Sequence, residues 1–130
     1  MTSMKTNKFV SPLARAKGLG SASEGVHHWL AERISGALLI PFTLWVVWSV
    51  IMMRGASYDQ FLAWFQNPLN AVGMLVFILV SCYHGAAGLQ VVIEDYVASH
   101  AKKLLMIVGV KIVFGIAAVA AVFSILKIAL

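Results

Sequence analysis

The sequence predicts an all-α integral membrane protein with three transmembrane helices, and three observations predict it. Of its 130 residues, 61% are hydrophobic and only 12% are charged, and the mean hydropathy of +0.88 is far above that of an ordinary globular domain. Three apolar runs, near Ile34 to Met53, Leu69 to Ile93 and Leu104 to Ile125, are each long enough to cross roughly 30 Å of hydrocarbon at about 1.5 Å per helical residue. A span in lipid must satisfy its own backbone, so each run is a helix. The expected organisation is a cytoplasmic N-terminal tail over residues 1–24 and a transmembrane domain over 25–130, with helices at about 26–53, 68–95 and 103–127.

Residues 1–23 carry Ser, Lys and Arg but no acidic residue, which reads as a flexible tail. No apolar core follows the basic charges before Trp29, so the segment is not a secretory signal; its composition shares features with a mitochondrial transit peptide, which is the alternative. Ser23 is a fair N-cap for the first helix, and Glu24 suits the positive end of its dipole. The first turns are amphipathic, so His27, His28, Glu32, Arg33 and Ser35 are expected at the cytoplasmic headgroup level. Pro41 falls inside the span, where it kinks the helix or frees a carbonyl.

Between Arg54 and Asn67, Tyr58, Phe61, Leu62 and Phe65 recur at helical spacing with Trp64 nearby, which predicts a short helix in the far interface. Pro68 suits the first turn of the second span. Residues 97–103 form a turn, and the third helix carries one intramembrane charge, Lys111, that snorkels or faces a partner. Gly109 and Gly115 predict close helix packing, although their spacing misses the four-residue dimer pattern.

The net charge of +5 does not form a nucleic-acid stripe, because the basic residues flank spans. Lys5, Lys8, Arg15, Lys17 and Arg33 precede the first span, Lys102 and Lys103 follow the second, and only Arg54 and Lys127 flank the opposite ends. The positive-inside rule therefore puts the N-terminus in the cytoplasm and the C-terminus in the periplasm of a bacterial inner membrane, or the N-terminus in the matrix of a mitochondrion. Three helices cannot enclose a large cavity and leave no room for a soluble catalytic domain, so partners are expected. The single Cys82 excludes an internal disulfide and reads as an apolar filler.

His84 is the candidate centre, because it sits inside the apolar run that opens at Pro68 and closes at Glu94, Asp95 and Tyr96. An imidazole at membrane depth points to metal ligation or proton relay. At 100° per residue His84, Gly88, Val91 and Asp95 share one face, and Gly85, Ala86, Ala87 and Gly88 clear the bulk that a flat macrocycle would meet. His84 could be one axial ligand of haem iron. A His hydrogen-bonded between helices without a cofactor accounts for the same features. Arg33 and His27 have the chemistry to bind haem propionates, with lipid phosphate as the other partner open to Arg33. Asp95 and Tyr96 close the span as an acid and a phenol, able to deliver protons and donate to a quinone carbonyl, although Tyr is also ordinary at interfaces.

Two segments, GVHHWLAERISG from Gly25 to Gly36 and HGAAGLQVVIEDYV from His84 to Val97, resemble the hydrophobic membrane anchor family of succinate dehydrogenase, respiratory complex II. The match lies in the spacing from His to Asp-Tyr, the Gly four residues after the His, and the upstream His and Arg; His28 and Glu32 fall outside the motif. The resemblance implies a helix bundle completed by a second anchor, the cytochrome b subunit, which supplies the other axial ligand of a shared haem b. It implies that His84 is one iron ligand, that Tyr96 donates to ubiquinone with Asp95 in the adjoining network, and that His27 and Arg33 lie near the propionates. It also implies flavoprotein and iron-sulfur partner subunits, which alone carry FAD and iron-sulfur clusters, so the chain by itself is not a catalyst.

Three rivals fit parts of the same sequence. One is a fumarate reductase anchor using menaquinol, and another is an assembly subunit without cofactor. The third is a homo-oligomeric transporter coupled through Glu32, His84 or Lys111, against which the odd number of spans and the lack of internal repeats argue.

Overall fold

A computed structural model describes residues 11–18 and 23–130. Most of the expected N-terminal tail, with Lys5 and Lys8, lies outside the described residues, as do the side chains of Arg15, Ser23 and Glu24. The described part is all helical: α1 (Pro12–Ala16), α2 (Ser23–Met52), α3 (Tyr58–Gln66), α4 (Pro68–Tyr96) and α5 (His100–Ala129). Three of these, over Gly25–Met52, Pro68–Tyr96 and His100–Ala129, are long and apolar enough to cross a membrane. Ser23 is the first residue of α2 and not the one before it. The tail segment at Pro12–Ala16 is helical where the composition predicts a flexible chain.

The chain turns after α2 at Gly55, whose φ of 81° suits only a residue without Cβ. A reciprocal capping box then starts α3: the Ser57 N–H donates to Gln60 Oε1 at 2.9 Å, and the Gln60 N–H donates to Ser57 Oγ at 3.3 Å. Asn67 caps α4 by accepting from the Leu69 N–H at 3.0 Å, with Pro68 in the first turn as expected. The Asn70 amide donates to the Trp64 carbonyl at 3.0 Å and ties the end of α3 to the start of α4.

α4 is the central element. It packs against α2 on one side and α5 on the other, α2 and α5 do not pack against each other, and α3 rests on α4 and α5. Each interface uses a glycine of α2 or α4 as a seat. On the α2 side the Trp45 ring lies 3.0 Å from where a Cβ of Gly73 would stand and stacks on Trp64 with ring centroids 5.6 Å apart. On the α5 side Phe114 comes within 2.8 Å of the corresponding point on Gly85. No atom of the described residues lies within 4 Å of a Cβ built on Gly109 or Gly115, so neither seats another helix of this chain. Both are exposed, on a part of α5 turned away from the face that Phe114 directs at α4.

The buried apolar residues among those described are only Ala71, Ala87, Ile93 and Ile125, while Leu44 and Ile116 are 67% and 65% exposed. In water such a surface would aggregate; lipid solvates it. α2 runs unbroken through Pro41, whose missing N–H leaves the Ala37 carbonyl without its helical donor.

Candidate functional site

The site grows from the face that α4 turns to α2. Gly73, His84 and Val91 are separated by eleven and seven residues, which at 100° per residue stacks them within about 20° of one another. Opposite His84, α2 offers Gly36, and the imidazole Cε1 lies 3.1 Å from where a Gly36 Cβ would stand. Beside it Ser35 Oγ is 3.0 Å from His84 Nδ1 and also donates to the Glu32 carbonyl at 2.9 Å. Ser35 is buried, at 6% exposure. The other ring nitrogen, Nε2, has no hydrogen-bond partner among the described residues.

His84 borders a groove of about 550 Å³, lined also by Glu32, Arg33, Gly36, Ala37, Ile40 and Val91. A second hollow of about 370 Å³ shares Gly36, Ile40 and His84 and runs on along Leu39, Thr43 and Leu44. Each volume is in the range of small-molecule sites. The walls are mostly apolar, and the polar groups collect at the Glu32 and Arg33 end. Arg33 is exposed, and its guanidinium carbon stands 5.7 Å from the Trp29 ring centroid, within cation–π range.

The sequence expectation of headgroup depth for Ser35 is corrected by its contact with His84. Ser35 is twelve residues into α2, roughly 18 Å along the axis, so it is level with an imidazole that is itself about 18 Å from the end of α4. The apolar run begins later than the helix does, and that gap made a mid-helix polar cluster read as surface.

Arg33 and His84 therefore share one groove, whereas His27 does not join them. Nine residues separate His27 from Gly36, two and a half turns, so His27 stands on the opposite face of α2 and is exposed. Asp95 lies on the His84 face of α4 but roughly 16 Å farther along. Tyr96, at 84% exposure, is turned about 100° from Asp95, and its hydroxyl has no partner among the described residues. Of the four small residues after His84, Gly85 is occupied by Phe114, Ala87 is buried, Ala86 is half-buried, and Gly88 has open space in front of it. Lys111 is exposed on α5.

Sequence reasoning missed Ser35 and Gly36 as the neighbours of His84. Their pairing spans 49 residues, and the only local signal was a small polar residue next to a glycine inside a span. Among the described residues no three His, Cys, Asp or Glu side chains converge as a metal-binding group. His84 is therefore a single donor.

Over residues 7–118 the sequence matches the family described as succinate dehydrogenase/fumarate reductase transmembrane subunit. The chain is similar to the succinate dehydrogenase hydrophobic membrane anchor subunit of Rickettsia bellii, 32% identical over 82% of this chain and 86% of that one. It is 33% identical to the protein of the same name from Paracoccus denitrificans, over 88% of this chain and 87% of the other. The succinate dehydrogenase membrane anchor subunit of Reclinomonas americana is 25% identical over 68% of this chain and 77% of its own length.

Proposed function

The chain belongs to the succinate dehydrogenase/fumarate reductase transmembrane subunit family, and from that premise we propose that it anchors a succinate:ubiquinone oxidoreductase, holds a haem b jointly with a cytochrome b subunit, and contributes to the site of ubiquinone reduction. The anchor role follows from its relatives and its three apolar helices. The flavoprotein and iron-sulfur subunits would dock on the cytoplasmic face of a bacterial inner membrane, the side at which α2 starts and α4 ends.

One observation carries the haem reading: His84 lines an apolar groove with one ring nitrogen satisfied by Ser35 and the other without a partner among the described residues. The residues fit the group. His84 would hold the iron through one imidazole nitrogen with a further ligand from another chain, the apolar groove walls would face the macrocycle, and Arg33 would offer a guanidinium for a propionate. When bound, the haem would supply a one-electron store. His27, on the far face of α2, takes no part in this groove.

Tyr96 and Asp95 would serve the quinone. Reducing a quinone to a quinol takes two electrons and two protons, so the carbonyl needs a hydrogen-bond donor and a nearby proton source. The Tyr96 hydroxyl has no partner among the described residues and is exposed at the end of α4, which leaves it available to donate to the carbonyl oxygen. Asp95, one residue away and also exposed, can hand protons from the aqueous side.

A dithionite-reduced minus oxidised spectrum of the purified complex tests the haem reading. The native complex is expected to show b-type bands, and His84→Ala to remove or perturb them. Unchanged bands and potential in the variant would overturn the ligand assignment. The partner reading fails if no flavoprotein, iron-sulfur protein or second small anchor purifies with the chain.

A further inference from the structure

We infer that Ser35 is the positioning residue of His84: its hydroxyl accepts the Nδ1 proton, which fixes the tautomer and leaves the lone pair on Nε2. This rests on the proposed role of His84 as a haem ligand.

The argument counts protons. A serine hydroxyl has one, and two atoms lie within its reach, the Glu32 carbonyl at 2.9 Å and His84 Nδ1 at 3.0 Å. The carbonyl can only accept, whereas Nδ1 either donates or accepts according to the tautomer. If Nδ1 carries the proton, the hydroxyl donates to Glu32 and accepts from His84, and both donors are used. If Nε2 carries it, the hydroxyl can donate to Nδ1, but the Nε2 proton then has no acceptor among the described residues. The first arrangement makes one more hydrogen bond and is the one that metal ligation requires, since the coordinating nitrogen must offer a lone pair.

Geometry adds restraint. Ser35 is almost fully buried and stands on a continuous helix, and the neighbouring Gly36 lets the ring lie against the α2 backbone. One hydrogen bond and one close packing contact therefore hold the imidazole from two adjacent residues, so the ring cannot turn without losing both. An acceptor on the distal nitrogen also raises the basicity of the ligating one, which favours the oxidised metal.

Two nearly isosteric replacements, Ser35→Thr and Ser35→Val, separate the hydroxyl from its bulk in the full complex. Thr, which can still reach the carbonyl three residues back, is expected to keep the native haem midpoint potential and low-spin EPR g-values. Val is expected to raise the potential, shift the g-values and weaken haem retention by about tenfold or more. Native potentials and g-values in both variants, with a signal that still depends on His84, would overturn the role of Ser35 and leave the ligand reading standing. A haem signal indifferent to His84→Ala would overturn the ligand reading itself. If the Val complex fails to assemble, ENDOR of the unsubstituted complex decides: an exchangeable proton on the imidazole Nδ1 is expected, and its absence refutes the inference.

Discussion

The Lys103 ammonium donates a 2.7 Å hydrogen bond to the main-chain carbonyl of Glu94, joining the first turn of α5 to the last turn of α4. A cation on a helix C-terminus satisfies a carbonyl that the helix leaves unpaired and complements the negative end of the dipole. The contact lies one residue before Asp95, so it also steadies the segment proposed to meet the quinone.

Lys103→Met keeps the alkyl stem and removes the donor. The expected loss at this corner is a few tenths to about 1 kcal/mol, too little to unfold α4. Amide hydrogen exchange over residues 96–99 should quicken by a few fold, and unchanged exchange there would show that the corner holds without the ammonium.

The α4–α5 seam depends on Gly85, where a Cβ would meet Phe114 Cε1 at 2.8 Å. Gly85→Ala should destabilise the seam by about 1–3 kcal/mol through overpacking. Trimming the ring with Phe114→Leu should recover part of that loss. Thermal denaturation in detergent of the two single variants and the double variant reads the coupling, and simple additivity would mean that the two residues do not meet.

Gly36 faces a softer limit, since its Cβ would stand 3.1 Å from His84 Cε1. Gly36→Ala therefore asks the imidazole to shift by a few tenths of an ångström, and Gly36→Leu asks for a displacement that the ring cannot make while holding Ser35. The Ala variant should retain haem with a shifted low-spin EPR signal, and the Leu variant should lose it. Native spectra from the Leu variant would place the ring elsewhere.

Tyr96→Phe deletes a hydroxyl and little else at the end of α4. Losing one hydrogen bond of about 1–1.5 kcal/mol should slow ubiquinone reduction by about tenfold. Succinate oxidation with an artificial soluble acceptor should stay intact, because that chemistry is assigned to the partner subunits. Equal quinone turnover in the variant and the native complex would remove Tyr96 from the site.

Hydropathy and aromatic spacing were enough for the spans and for α3, because both signals are local and repeat along the chain. His84 was legible for a related reason, being an imidazole where its neighbours are apolar. Which residues meet it was not, because Ser35 and Gly36 arrive from another helix and the crossing depends on how α2 rotates against α4. His27 is a different case. Depth, chemistry and the resemblance made it a companion of Arg33, while the nine residues to Gly36 put it on the other side of the cylinder. Gly109 and Gly115 are the same residue type as Gly73 and Gly85, and what separates the two pairs is the Trp45 and Phe114 rings seated on the latter.

The outer helices α2 and α5 never meet across α4, which bears on the life of the chain before assembly. A newly inserted copy would be a row centred on α4 with two raw edges and a notch holding Glu32, Arg33 and His84 open to acyl tails. Surplus copies should thus be short-lived, and the cellular amount of this polypeptide should track that of the companions that close its edges.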